Sequence, residues 1–275
     1  MAKEAYPGGF DQFIQSGETG VGAMQYCLAG EAVNGGVHYV EDGIVAIGED
    51  TILYRPDLRL YGVFDGAGGA ADIGRADLAS RLAAEAVVSF FERYGTLEVD
   101  TTFMQEALQY ARAEVSASQE AGVATGLFIY VVEPNDEAIK ILYAAAGDCS
   151  AGVYPDPVFD GKKYDDVLWF AGDQEDFIGD PTNFIGKEGG RIKRQAEDQC
   201  GVIETSLKRE RFIFLCSDGI TGSLGRHDGI DEADIEYAFT YKHDVVSIAQ
   251  ALINPPLHRE LRRKVDDKSL VLLRV

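Results

Sequence analysis

Leu60-Tyr-Gly-Val-Phe-Asp-Gly-Ala-Gly-Gly69 reads as a buried strand that runs into a carboxylate. Apolar, β-branched and aromatic residues from Leu60 to Phe64 suit a pleated surface covered on both sides. Asp65-Gly66 stops the strand, and the missing side chain of Gly66 lets the backbone carbonyl approach a bound ion. Three other segments repeat the arrangement. Gly48-Glu49-Asp50 follows Ile44 to Ile47, Ser217-Asp218-Gly219 follows Phe212 to Cys216, and Asp266-Asp267-Lys268-Ser269 precedes Leu270 to Leu273. Asp-Gly pairs form turns, and that explains any one segment by itself. Four such segments, spread along the chain, meet only if the fold lays their strands side by side. Carboxylates gathered without Lys or Arg repel one another unless a cation sits among them. Hard divalent ions such as Mg²⁺ and Mn²⁺ take oxygen ligands of this kind.

Composition narrows the function. The chain has 275 residues, 46% of them hydrophobic, ample for a packed core. Its 46 Asp and Glu against 25 Lys and Arg give a net charge of −21. That charge disfavours nucleic acid, which is bound through basic side chains on phosphates, and anionic membrane surfaces. It favours solubility and cation binding. The four cysteines, Cys27, Cys149, Cys200 and Cys216, are scattered, and the four histidines have no metal-ligand spacing. Neither a zinc site nor a disulfide framework is suggested. No signal peptide or bilayer-spanning run is visible, so a cytoplasmic setting is expected.

The pattern of elements predicts an α+β fold. Residues 1–22, Gly-rich and polar, are expected to form a flexible N-terminal arm, and 23–275 a single catalytic domain. Strands are expected across 23–64, broken at Gly35-Gly36 and at Arg55-Pro56-Asp57. Leu78, Leu82, Ala86 and Phe90 recur every four residues in a helix over 73–94. A second helix to about Ser118 is expected to be capped by Thr101 or Thr102, with Glu106 in support. Strands 127–132 and 139–145 form a hairpin around Glu133-Pro-Asn-Asp136, and strands continue at 151–154, 167–170, 203–207 and 212–216. Residues 172–190 read as irregular, 230–239 and 245–253 as helices, and 270–275 as a closing strand.

Five segments, in order, resemble the metal-dependent protein phosphatases of the 2C type, the PPM family. Gly-Glu-Asp-Thr at 48–51 is similar to the family's Asn-Glu-Asp-Ala, and Tyr61-Gly-Val-Phe-Asp-Gly-Ala-Gly-Gly69 to its Gly-Val-Phe-Asp-Gly-His-Gly-Gly. Ala146-Gly-Asp-Cys-Ser150 resembles Gly-Asp-Ser-Arg, Ser217-Asp-Gly-Ile-Thr221 resembles Ser-Asp-Gly-Leu-Thr, and Val265-Asp-Asp-Lys-Ser-Leu-Val271 resembles Asp-Asn-x-Thr-Val-x-Val. The resemblance covers about residue 44 onward. It implies two packed antiparallel β-sheets flanked by helices on both sides, a four-layer α/β/β/α sandwich. It also implies hydrolysis of phosphate monoesters on phosphorylated Ser/Thr proteins, by attack of a hydroxide bridging two Mg²⁺ or Mn²⁺ ions. By that resemblance Asp65 bridges the metals, Gly66 offers its carbonyl, and Asp218 and Asp266 hold the second ion. Asp50 acts on the first, and Asp148 corresponds to a residue that helps hold a weaker third. Asp65 and Asp218 carry the catalytic assignment. The family places a variable flap near 172–190.

Three positions depart from the family pattern. Ala67 stands where animal and plant members have a His assigned as general acid, although many bacterial members have Met. Val45 stands where an Arg often binds the substrate phosphate, and Gly222 where bacterial members often have an Asp. Arg55, Arg59 and Arg75 are nearby guanidinium groups, more simply read as solvated surface residues. Strand alternation puts Val45 and Ile47 on one face and Asp50 on the other unless a bulge intervenes. No Cys-x5-Arg loop, Gly-x-Ser-x-Gly elbow or Walker Lys-Ser/Thr offers another route. The leading expectation is therefore a metal-dependent protein Ser/Thr phosphatase. The alternatives are a catalytically weak or inactive binding module of the same fold and a hydrolase of small phosphoesters.

Overall fold

The computed structural model describes residues 4–6, 10–16, 20–27, 37–67, 74–95, 98–132, 138–155, 168–171, 183–187, 194, 196–206, 211–221, 232–242, 244–253 and 267–274. Among them, fifteen strands form two sheets in which every strand pairing is antiparallel.

The strands, in chain order, are β1 (Glu4–Tyr6), β2 (Phe10–Ser16), β3 (Gly20–Cys27), β4 (Val37–Glu41), β5 (Ile44–Ile47), β6 (Asp50–Arg55), β7 (Leu60–Gly66), β8 (Val123–Val131), β9 (Ala138–Ala146), β10 (Ser150–Pro155), β11 (Leu168–Ala171), β12 (Ile185–Gly186), β13 (Gln199–Ser206), β14 (Arg211–Cys216) and β15 (Lys268–Arg274). One sheet has the order β1-β2-β3-β15-β14-β10-β11, and the other β13-β9-β8-β7-β6-β5-β4 with β12 beside β8. The arm expected over 1–22 is a point of difference. β1 and β2 extend the first sheet, β2 pairing with β3 from Phe10 opposite Cys27 to Ser16 opposite Val21. Backbone pairing does not require an apolar composition, which is why the polar, Gly-rich sequence concealed it.

Two helices cover the second sheet. α1 (Ala76–Tyr94) starts three residues later than its periodicity predicts and stops at Gly95, whose N–H donates to the Phe91 carbonyl at 2.7 Å. α2 (Thr101–Ala117) is capped by Asp100 rather than by either threonine, its carboxylate accepting from the Phe103 N–H at 2.8 Å. A carboxylate is as good a cap as a hydroxyl and suits the positive end of the helix. Val87, Phe91, Met104 and Leu108 pack with Phe64, Phe128 and Leu142 from the sheet. On the outer face of the first sheet, α3 (Glu232–Tyr241) and α4 (Val245–Ile253) pack Ile235, Phe239, Ile248 and Leu252 against Phe212, Phe214, Leu270 and Leu272. The layering is therefore helices, sheet, sheet, helices, as the resemblance implies.

The layer between the sheets is where strand alternation matters. Val45 and Ile47 of β5, Ile52 and Tyr54 of β6, Tyr61 and Val63 of β7, and Leu127 and Ile129 of β8 face Ala151, Val153, Ile213, Leu215, Val271 and Leu273 across it. Extending each strand by its period of two predicts what lines the end of this layer. The positions are Asp50, Asp65, Thr125, Cys149, Ser217, Asp267 and Ser269.

Candidate metal centre

Asp50 and Asp65 are the foundation of the site. They are cross-strand partners of β6 and β7, so their side chains leave the same face of the sheet. Directly opposed residues have Cβ atoms about 5 Å apart, a spacing at which like charges repel. Position 50 reaches this face because Gly48-Glu49 is a two-residue turn, Gly48 adopting a φ of 63°, with Ile47 pairing directly with Asp50. The face conflict expected from uninterrupted alternation is thus removed by the turn: Val45, Ile47 and Asp50 all face the other sheet.

The other sheet reaches across at this end. Ser269 donates its hydroxyl to Oδ2 of Asp50, a carboxylate only 1% exposed. Two residues earlier, Asp267 accepts the Glu49 N–H on Oδ2 at 2.8 Å. Ser217 ties β14 to the same point. Its N–H donates to the Ser269 carbonyl at 3.1 Å, and its Oγ accepts the Ser269 N–H at 3.1 Å. The helical turn beginning at Asp218 lies against the start of β15, since a Cβ on Gly219 would stand 1.9 Å from the Asp267 carbonyl oxygen. Only glycine permits that approach.

Cys149 senses the charge of three of the expected acids. Burial pushes its thiol well above the ordinary value, and the negative charge of Asp148 pushes the same way. A contact with Thr125, Oγ1 to Sγ at 3.4 Å, acts in the opposite direction, and Asp50 and Asp218 add to the rise. Three of the expected acids, Asp50, Asp148 and Asp218, are therefore within electrostatic reach of one thiol. Thr125 itself lies opposite Asp65 in β7–β8 register. Gly147, at a φ of 102°, brings the Asp148 turn against Thr125, where a Cβ would come within 2.4 Å of the threonine side chain. A thiol held protonated is neither a metal-binding thiolate nor a nucleophile.

Gly66 packs tightly. Its N–H donates to the Glu49 carbonyl at 3.0 Å, and a Cβ there would meet the Ala76 carbonyl oxygen at 2.5 Å. Asp266 lies outside the described residues, as do Gly222 and most of 172–190. Among the described residues no three Asp, Glu, His or Cys side chains close into a ready-made cage. The donor set nevertheless fits a hard divalent cation. It consists of carboxylates, two of them opposed in register at the end of an apolar layer, with no thiolate or imidazole beside them among the described residues to select a softer metal.

The three arginines divide. Arg55 sits at the far end of β6 from Asp50 and is bound by Asp57 at 2.8 Å and Glu92 at 3.0 Å. Arg59, at a φ of 54°, ends the 3-10 turn Pro56–Leu58 on that same far side. Arg75 precedes α1 beside Gly66, is 60% exposed at its side chain, and pairs with Asp77 at 2.6 Å. It is the one of the three at the site's end.

Sequence reasoning missed the hydroxyls of Thr125, Ser217 and Ser269, and it missed Phe184. This last residue, fully buried, packs with Val123 against Ala67. Arg112 of α2 donates from Nε to the Phe184 carbonyl at 3.2 Å and pairs with Asp198 at 2.6 Å. The desolvation of Asp198 opposes its ionisation, yet the hydrogen bonds from Arg112 and Asn183 bring its carboxyl below the usual value. The signal for the hydroxyls was available: each is a polar residue at the next alternate position of an apolar strand. The Phe184 contact had no comparable signal.

No protein-family model and no curated protein sequence matches the chain. Solved structures do. The PPM Ser/Thr phosphatase MsPP from Mycobacterium smegmatis, in complex with cacodylate, superposes with a TM-score of 0.62 at 17% identity, covering 94% of this chain and 99% of that one. The catalytic domain of the serine/threonine protein phosphatase PstP, in complex with two manganese ions, gives 0.56 at 17% identity over 89% and 97%. The serine/threonine phosphatase of S. agalactiae gives 0.55 at 16% identity over 96% and 98%. The chain has the fold of the PPM Ser/Thr phosphatases.

Proposed function

We propose that the protein is a metal-dependent phosphatase acting on phosphorylated Ser/Thr proteins. The observation that supports this most directly is the opposed pair Asp50 and Asp65 at the end of the inter-sheet layer. Asp148, in the turn from β9 to β10, and Asp218, just past β14, support it through the charge that both exert on Cys149. Asp65, Asp50 and the Gly66 carbonyl would hold one ion, Asp65, Asp218 and Asp266 a second, and Asp148 a weaker third, with Mg²⁺ or Mn²⁺ as the candidates. Bound there, the ions would lower the pKa of an attacking water and neutralise charge on the phosphoryl oxygens. Asp65 and Asp218 orient the reacting groups between the sheets. Arg75, exposed where α1 begins and paired with Asp77, would be the candidate among the three arginines for an incoming phosphate.

A second reading, a weak or inactive binding module, is favoured by two positions. Val45 is fully buried, and Ala67 is packed under Phe184. The chain thus offers neither an arginine clamp nor an imidazole acid there. Hydrolysis of p-nitrophenyl phosphate and of a phosphothreonine peptide, each with Mn²⁺, Mg²⁺ or chelator, separates the readings. Metal-dependent turnover abolished by Asp218→Asn supports the enzyme. Mn²⁺ binding without turnover of either substrate supports the module.

A further inference from the structure

The start of β15 grips the β5–β6 turn twice. Asp267 takes the Glu49 N–H, and Ser269, two residues on and so on the same strand face, gives its hydroxyl to Asp50. Ser269 is itself fully buried and fixed from behind, because its backbone N–H and carbonyl are both engaged by Ser217. The donor therefore has little freedom, and neither does the carboxylate it meets.

We infer that Ser269 is a positioning residue for the metal centre: its hydroxyl fixes the rotation of the Asp50 carboxylate and so sets the affinity for the divalent ion. This inference rests on the metal-dependent reading above. An Asp side chain has a broad, roughly two-fold terminal torsion, and a hydrogen bond to one named oxygen removes that freedom before the ion arrives. Because Ser269 belongs to the opposite sheet, the same bond makes the carboxylate's orientation depend on how the two sheets are seated. Partners that orient ligating groups typically change metal affinity or activity by about 10- to 100-fold when lost.

The test compares wild type, Ser269→Ala and Ser269→Thr in the full chain. Mn²⁺ is titrated by calorimetry and by the metal-induced shift in melting temperature, alongside hydrolysis of p-nitrophenyl phosphate. Ser269→Ala is expected to weaken Mn²⁺ binding about 10- to 100-fold, and Ser269→Thr, which keeps the hydroxyl, to restore most of it. At saturating Mn²⁺, Ser269→Ala should recover most of the turnover, because the loss is in ion affinity. Wild-type Mn²⁺ affinity in Ser269→Ala overturns the inference while leaving the metal reading intact. So does a Thr variant as defective as the Ala variant. A wild-type protein that does not bind Mn²⁺ overturns both. Should the Ala variant fail to fold, the near-isosteric pair Ser269→Thr and Ser269→Val carries the comparison: equal Mn²⁺ affinity in the two overturns the inference.

Discussion

The body and the end of the inter-sheet layer are made by the same strands, in the same alternation, and differ only in which residues occupy the inward positions. In the body, Ile52, Val63, Leu127, Leu215 and Val271 interlock with little or no solvent exposure. Two residues further along the same strands stand Asp50, Asp65, Thr125, Ser217 and Ser269. A close-packed core is stiff, and that stiffness is transmitted to side chains one strand period away. The charged end, in turn, contributes little cohesion of its own. The core can therefore be read as a jig that holds repelling carboxylates in register.

The sharpest challenge to this division is to damage each part separately. Leu127→Ala, at a fully buried position, is expected to cost about 2–5 kcal/mol of stability in denaturant unfolding. The surviving folded fraction should retain its Mn²⁺ affinity; if affinity falls in step with stability, the two parts are not separable. Asp65→Asn should do the reverse. Turnover drops by more than about 100-fold, beyond what an outer-shell loss costs. The metal-free variant becomes more stable than wild type by about 0.2–1 kcal/mol, because the charge opposing Asp50 is gone. An apo protein no more stable than wild type would show that the two carboxylates do not face each other as drawn.

Val45 belongs to the body of the layer, one strand period from the charged end. It faces the same layer as Asp50 and lies opposite Ile52. Val45→Arg is expected to lower KM for phosphate esters about tenfold, the value of one good charge-assisted pair, while the buried, unpaired guanidinium costs the phosphate-free protein about 3–5 kcal/mol. A steady-state comparison at saturating Mn²⁺ decides it, an unchanged KM meaning that Arg75 or another group already meets the phosphate. A further effect concerns pH. Burial pushes the Cys216 thiol up from 9.0 to about 12. The folded protein keeps that proton while the unfolded chain loses it, so stability should be lost as pH rises from about 9 towards 12 and be unaffected below. Cys216→Ala should flatten that slope, measured against wild type by urea unfolding at a series of alkaline pH values.

Much of this was legible in the sequence. Runs such as Leu60–Phe64 and Phe212–Cys216 state their strands openly, and an acid placed just past each one is a local signal. The four-layer order follows once the helical blocks are placed. What stayed hidden was relational. The direction in which Asp50 points depends on a two-residue turn at Gly48-Glu49, and uninterrupted alternation assigns it to the wrong face. Asp100 rather than Thr101 caps α2 because both residue types are competent caps and only the chain path chooses. β2 is held by backbone bonds to β3, which leave little trace in residue type. The packing of Phe184 on Ala67 joins residues remote in sequence through the orientation of a buried arginine, and no pattern along the chain encodes it.

β15 has a consequence for how the molecule is made. It is the last of the described strands in chain order, yet it lies in the interior of its sheet, between β3 and β14. It also supplies the hydroxyl that meets Asp50 across 219 residues of sequence. Contacts between such distant residues form late, because the intervening chain must first be ordered. On the ribosome, β14 and β3 therefore wait with their edges unpaired until residues 268–274 have emerged, a state open to wrong pairing. The acidic end of the molecule comes into being with that insertion, so a chain interrupted shortly before it would lack the candidate metal centre and be prone to aggregate.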